Sequence, residues 1–289
     1  MRLLKDEPMR NHCSFRIGGP AEWFAEPASE EELIVLRRRL WERGVEPVII
    51  GSGTNLLVSD EGLRGMVIRV GAGLDAIAFD GGGKTVYAGA GIPLSRLALA
   101  ARDRGLAGLE FAHGIPGSLG GGVMMNAGAY GGEMKDVVAS VRYLDAAGEV
   151  RETTDPGFAY RRSRFNSADE PGCVILGATL RLTPGDPKEI GAKMRELMAR
   201  RSASQPLEKP SAGSTFKRPE KGYAAALIDG AGLKGFAIGG AQVSEKHAGF
   251  VINTGNATCA DVLKLMEHIQ KTVEERFGVL LEPEVKILR

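Results

Sequence analysis

Apolar residues recur at helical spacing in four stretches of the chain. Leu33, Leu36 and Leu40 share one face, with a capping box expected from Ser29 and Glu32 before them and a stop at Gly44. Pro93 opens a second helix carrying Leu94, Leu97 and Ala101, closed at Gly105. Asp186-Pro187 with Glu189 starts a third, which turns Ile190, Met194, Leu197 and Met198 inward. The last begins at Thr258 with Asp261, buries Val262, Leu265, Met266, Ile269 and Val273, and ends at Gly278. Strands are expected at Pro47–Ile50, Met66–Val70, Val86–Ala88, Val141–Leu144, Val150–Thr153, Val174–Leu182, Phe250–Asn253 and Val285–Leu288. The two kinds of element mix without strict alternation, so an α+β chain in more than one domain is expected, not one doubly wound sheet.

Charge narrows the possible partners. Lys and Arg nearly balance Asp and Glu, leaving a net charge of +1, so no field points to nucleic acid or an anionic membrane. Charged side chains at Arg2, Lys5, Asp6, Glu7, Arg10 and Arg16 argue against a signal peptide. No apolar run reaches the roughly 20 residues needed to insert into a bilayer. Cys13, Cys173 and Cys259 are far apart, odd in number and lack CxxC spacing, which suits reduced thiols in the cytoplasm. His12, His113, His247 and His268 show no ligand spacing, so no metal is expected.

Glycine changes the picture: 40 are present, and they gather at the ends of apolar segments. Two matches to nucleotide motifs fail on context. Gly230-Ala-Gly-Leu-Lys-Gly235 follows a helix-like segment where a dinucleotide fingerprint needs a strand, and Gly83-Lys84-Thr85 reads as a hairpin turn. Two clusters survive. Strand Val48-Ile49-Ile50 runs into Gly51-Ser52-Gly53-Thr54-Asn55, a nest of backbone N–H groups and hydroxyls suited to phosphate oxygens. The second runs from His113 to Glu133 and interleaves glycine with Met, Val and Asn, unlike a flexible linker. Such a backbone either lies along a long nucleotide cofactor or forms a purely structural glycine-rich core.

The segments Gly51 to Val58, Gly89-Ala-Gly-Ile-Pro-Leu94 and Glu110-Phe-Ala-His-Gly-Ile-Pro-Gly-Ser118 resemble the FAD-binding region of vanillyl-alcohol-oxidase-type flavoproteins. Met125-Asn-Ala-Gly-Ala-Tyr-Gly131 narrows the resemblance to the UDP-N-acetylenolpyruvoylglucosamine reductase family. Tyr160-Arg-Arg-Ser163, Ser211 to Pro219, Ile238 to Phe250 and Leu281-Glu-Pro-Glu-Val285 agree in order, so it runs from about Asn11 to the C-terminus. The resemblance implies a two-part FAD-binding fold plus a smaller α+β substrate-binding domain. Its expected parts are residues 1–70 with 279–289, residues 71–203 with a junction helix at 186–201, and residues 204–278.

By the same resemblance, NADPH reduces a non-covalently held FAD, and UDP-N-acetylglucosamine enolpyruvate then takes up the hydride and a proton to give UDP-N-acetylmuramate. Hydride addition at the vinyl carbon pushes electrons toward the carboxylate, so positive charge and a proton donor are needed. Arg161 is implied as the carboxylate's partner, Glu284 as the group polarising the developing enolate, and Ser214 as the proton donor. A nearby substrate carboxylate would raise the pKa of Glu284. Cofactor contacts are implied at Gly51, Ser52, Gly53, Thr54, Asn55, Gly114, Ile115, Pro116, Gly117, Ser118, Gly121, Asn126 and Ala127. Substrate contacts are implied at Tyr160, Lys217, Arg218, Gln242 and His247.

Each catalytic residue also has an ordinary reading: Arg161 on a solvated arginine-rich edge, Ser214 capping a turn, Glu284 an alternating strand residue. Three departures from the family stand out, one of them Arg218, where the longer form has asparagine, so that contacts to the substrate's diphosphate or uracil are expected to be rearranged. Residues 162–213 are too few to include the tyrosine-bearing lid loop of the family's longer form, so another element must close the site. His113 stands where a small residue is usual, and histidine tethers flavin in related oxidases. A flavin oxidase with another substrate and a non-catalytic sugar-nucleotide sensor are the rival functions. The sensor should lack one of Arg161, Ser214 and Glu284, and all three are present. A monomer is expected.

Overall fold

The computed structural model describes residues 1–167 and 172–289. It divides into two compact units. The first comprises Met1–Lys5, Trp23–Ser52 and Gly65–Arg201, and the second Asp6–Glu22, Gly53–Arg64 and Ser202–Arg289. Each has its own apolar core.

The first unit is built around a five-stranded sheet in the order Val150–Thr153, Val138–Leu144, Val174–Arg181, Thr85–Gly89, Ile77–Phe79, with antiparallel pairing throughout. Val174–Arg181 is its central strand and reads as a near-continuous apolar run because both of its faces are buried. The turn between Ile77–Phe79 and Thr85–Gly89 is the expected hairpin: Gly83 sits at φ +72°, and Asp80 accepts the N–H groups of Lys84 and Thr85 at 3.2 and 3.1 Å. In a second sheet Val48–Ile50 lies parallel to Leu63–Arg69, pairing Ile49 with Ile68.

Helix Glu30–Glu42 buries Leu33, Leu36 and Leu40 as expected, with Gly44 at φ +66° beyond its end. Its cap is half of the expected box. The Ser29 hydroxyl accepts the Glu32 N–H at 3.3 Å, but the Glu32 carboxylate turns away to Ala28 N–H at 2.7 Å and to the chain's amino terminus. Helix Leu94–Asp103 follows Pro93. Helix Pro187–Ser204 buries Ile190, Met194 and Leu197. Met198 is the exception to the expected inward set: it is 37% exposed, because the apolar stripe of this strongly charged helix is narrower than its sequence spacing implied.

In the second unit, helix Cys259–Phe277 packs on an antiparallel sheet of Ala237–Ile238, Ala241–Val243 and Val251–Asn253. Thr258 and Asp261 make both halves of the expected capping box, and Val262, Leu265, Met266, Ile269 and Val273 are buried. Asp60 adds a support that the sequence pattern did not reveal: its carboxylate accepts the N–H groups of Cys259 and Ala260 at 2.7 and 3.0 Å. Lys286–Leu288 pairs in parallel with Leu56–Val58, which carries the end of the chain beside the segment that follows the first glycine cluster. Among the described residues no helix is long and apolar enough to cross a membrane, and no His, Cys, Asp and Glu side chains gather as a metal cluster.

Candidate functional site

In the first unit a cleft is lined by Gly51, Ser118, Gly120 and Gly121 together with Ile50, Val70, Ala90, Met124 and Ile175. Both glycine clusters thus reach it, Gly51 from the first and Ser118 and Gly121 from the second. A Cβ at Gly51 would stand 2.5 Å from the Ser118 hydroxyl, so a side chain there would have to push that hydroxyl aside. The second cluster is not extended throughout: Leu119–Met124 forms a short helix after Ser118. The N–H groups of Leu119 and Gly120 donate to Ile92 and Ala90 at 2.8 Å each, which holds the run flat against that segment. Gly117 adopts φ +141°, a backbone only glycine accepts readily, and Gly114 faces the aliphatic stem of Arg201. Burial depresses the Arg201 guanidinium's pKa. A wall of glycine backbone and apolar side chains fits a long cofactor bearing a planar ring and a pyrophosphate.

The remaining sequence-predicted residues of this unit surround one knot. After the short helix, Gly128–Ala129 and Gly132–Glu133 form a hairpin whose turn, Tyr130-Gly131, has φ +54° and +88°. Ala159 and Arg162 exchange backbone hydrogen bonds at 2.9 and 3.1 Å, so Tyr160 and Arg161 occupy the tip of a tight turn. Arg161 is therefore on a turn and not on a strand edge, at φ +54°, a conformation that costs a non-glycine residue on the order of 1–3 kcal/mol. Its guanidinium donates to the Gly128 carbonyl at 3.3 Å and lies 5.2 Å from the Tyr160 ring. Ile115, Pro116 and Ala127 lie along the same glycine-rich run, and the Ala127 N–H donates to Gly122 at 2.8 Å.

Ser52 closes the first unit's share of the first glycine cluster, and Gly53, Thr54 and Asn55 belong to the second unit. Gly53 is at φ +66°, and any Cβ there would collide with the His12 carbonyl. The Asn55 amide donates to the Glu284 carbonyl at 3.1 Å, and Lys286 N–H donates back to the Asn55 carbonyl at 2.9 Å.

Backbone pairing in the second unit brings Glu284 against Thr215, the residue after Ser214. Residues 215–217 run antiparallel to 282–284: Glu284 N–H donates to Thr215 at 2.8 Å, Lys217 N–H donates to Glu282 at 2.8 Å, and Phe216 pairs with Pro283. Ser214, exposed after Gly213 at φ +76°, is the residue immediately before this ladder. Buried Thr215 anchors it from the other side: its N–H donates to Gly249 at 2.9 Å, and its hydroxyl accepts the Val251 N–H at 3.0 Å. The Lys217 ammonium pairs with Glu282 at 3.0 Å, and the Arg218 guanidinium lies 4.2 Å from the exposed Tyr223 ring. Gln242 donates to the Gly235 carbonyl at 3.0 Å, and His247 accepts the Gly249 N–H at Nδ1 at 3.2 Å. Burial pushes the His247 imidazole below its ordinary range.

Two family models match the chain, an FAD-binding domain over residues 21–154 and the C-terminal domain of UDP-N-acetylenolpyruvoylglucosamine reductase over residues 205–288. The UDP-N-acetylenolpyruvoylglucosamine reductase of Caldanaerobacter subterraneus subsp. tengcongensis is 50% identical over 99% of this chain and 94% of its own length. The chain belongs to the UDP-N-acetylenolpyruvoylglucosamine reductase family. The reductase of Agathobacter rectalis is 49% identical over 99% of this chain and 94% of its own length. A crystal structure of the enzyme from Thermus caldophilus superposes with a TM-score of 0.84 at 33% identity, covering 100% of this chain and 98% of that one. The fold expected from the resemblance is thereby established, and the protein is an FAD-dependent oxidoreductase.

Proposed function

We propose that this reductase converts UDP-N-acetylglucosamine enolpyruvate to UDP-N-acetylmuramate with NADPH as reductant, as a cytoplasmic monomer supplying peptidoglycan precursors. The glycine-lined cleft would hold FAD, which would supply the hydride chemistry. The chain's own residues manage the charge that follows. Arg161 pairs its planar guanidinium with the substrate carboxylate, where electron density accumulates once hydride adds to the vinyl carbon. Glu284 lies beside that charge as the protonated acid and polarises the enolate. Ser214 gives its hydroxyl proton to the carbon bearing the carboxylate, completing the addition. Serine is a weak acid, so transfer depends on the strong basicity of the dianion and on the hydroxyl being placed within about 3 Å of the carbon. Lys217 and Arg218 contact the diphosphate, while Tyr160, Gln242 and His247 contact the rest of the substrate.

The observation that supports this reading is the pairing of 215–217 with 282–284, which makes Glu284 the backbone neighbour of Thr215, the residue after Ser214, although the two lie far apart in sequence. An oxidase would have no use for that pair. The test is anaerobic. NADPH should bleach the purified yellow protein, and the enolpyruvyl sugar nucleotide should restore its colour. Restoration by oxygen alone, with the sugar nucleotide inert, would establish the oxidase instead.

A further inference from the structure

Asn126 ties together the two backbone segments that deliver Arg161. It is fully buried and sits at φ +42°, a left-handed conformation that asparagine tolerates better than most residues. Its side-chain amide is committed to protein partners on both ends. The Nδ2 group donates to the Glu133 carboxylate at 2.6 Å and to the Ala159 carbonyl at 3.1 Å, and Oδ1 accepts the Lys135 N–H at 2.9 Å. Glu133 pairs with Gly128 in the hairpin whose Gly128 carbonyl receives the Arg161 guanidinium, and Lys135 lies in the turn that follows. Ala159 is the residue whose hydrogen bonds with Arg162 close the Tyr160-Arg161 turn. One amide therefore holds both the base of the arginine's turn and the hairpin on which its head rests.

A second brace acts from below. The buried Ser163 hydroxyl donates to Met124 at 2.8 Å, and Asn166 accepts the Ser163 N–H at 3.0 Å while donating to the Arg161 carbonyl at 3.4 Å. This brace grips the turn at the Arg161 carbonyl, and the Asn126 amide grips it at Ala159 while also tying it to the hairpin through Glu133.

We propose that Asn126 is a positioning residue for Arg161, fixing the guanidinium where it can take the substrate carboxylate in a two-point grip. This rests on the carboxylate role proposed for Arg161. A long arginine on a two-residue turn has many rotamers, and displacing a charge-stabilising group by 1 Å costs on the order of 10²-fold in rate. Only asparagine combines tolerance of the left-handed backbone with two donors and an acceptor at this site. Aspartate keeps the backbone tolerance and the acceptor for Lys135 but loses both donors.

The experiment uses the FAD-loaded protein in four forms beside the native one: Asn126→Asp, Asn126→Asp with Glu133→Gln, Arg161→Ala, and Arg161→Ala with Asn126→Asp. The amide introduced by Glu133→Gln can donate to the carboxylate introduced by Asn126→Asp, restoring the hairpin bond but not the contact to Ala159. FAD content, thermal midpoint, NADPH reduction and single-turnover reoxidation by the enolpyruvyl sugar nucleotide are measured for each. Reoxidation should slow by about 10–10²-fold with Asn126→Asp, remain slow with Glu133→Gln added, and lose less than about 2-fold more in the Arg161→Ala background. In the double variant with Glu133→Gln, reoxidation should fall by a larger factor than NADPH reduction, both read per bound FAD. Full rescue by Glu133→Gln, or an equal loss in both backgrounds, would overturn the proposal, as would a matching fall in both half-reactions in the rescued variant. If Arg161→Ala itself reoxidises at the native rate, the carboxylate role is wrong and the proposal falls with it.

Discussion

Glu284 donates its backbone N–H to the carbonyl of Thr215 at 2.8 Å, which links the proposed polarising acid to the neighbour of the proposed proton donor. Thr215 is in turn fastened to Gly249 and Val251, so a backbone ladder fixes the spacing of residues 214 and 284. Thr215→Val should therefore do more harm than its small change in shape implies. The buried Val251 N–H loses its acceptor, a cost of about 1–3 kcal/mol. A lower urea midpoint together with slower reoxidation is expected; native stability would show that the hydroxyl is dispensable to the ladder.

Lys217 carries an ion pair with Glu282 that is exposed on both sides and worth less than about 1 kcal/mol. Lys217→Ala should leave the thermal midpoint nearly unchanged and raise KM for the sugar nucleotide by about tenfold, because diphosphate contacts are similar in ground and transition states. Arg218→Ala should behave alike. Steady-state kinetics separates the parameters, and an unchanged KM with a lost kcat would remove both residues from the diphosphate.

His247 accepts the Gly249 N–H at Nδ1, a bond that protonation there would break, and burial lowers its pKa. The folded state then binds fewer protons than the unfolded chain, so stability contributed by neutral His247 is present above the ordinary histidine value of about 6.5 and is lost as pH falls toward the depressed folded pKa. His247→Asn keeps an acceptor but removes the titration. Urea midpoints between neutral and mildly acidic pH should fall less steeply in this variant; parallel curves would assign the pH dependence elsewhere.

The Nδ1 atom of His113 is buried and makes no hydrogen bond among the described residues, yet the flavin should be untethered. The cleft's glycine backbone can hold the cofactor without a covalent link. Acid precipitation should leave all the yellow colour in the supernatant. Colour retained in the pellet would point to a histidyl bond.

Much of this was legible in the sequence where one physical signal dominated. The capping box at Thr258, the apolar face through Val273 and the left-handed Gly278 agree because every local rule points the same way in that helix. Strands Arg2–Pro8 and Pro20–Glu26 were not legible: the first has no buried residue and the second lacks strict alternation. Arg161's turn escaped because two hydrogen bonds to Ala159, not glycine or proline, make it. The side-chain partners of Asn126 were not legible either. Its partners Glu133 and Ala159 share no spacing rule with it, so only the folded chain reveals that its side chain is already committed.

The measurement that bears most directly on the mechanism is the pair of half-reactions of Ser214→Ala, followed by stopped-flow absorbance. Ser214 is exposed, and the ladder beside it uses backbone groups of Thr215, so removing the hydroxyl should leave the fold intact. Reduction by NADPH should proceed at nearly the native rate. Reoxidation by the enolpyruvyl sugar nucleotide should slow by about 10²–10⁴-fold, since the dianion cannot be quenched and reverts. Equal slowing of both half-reactions, or native reoxidation, would contradict the assignment of Ser214 as proton donor.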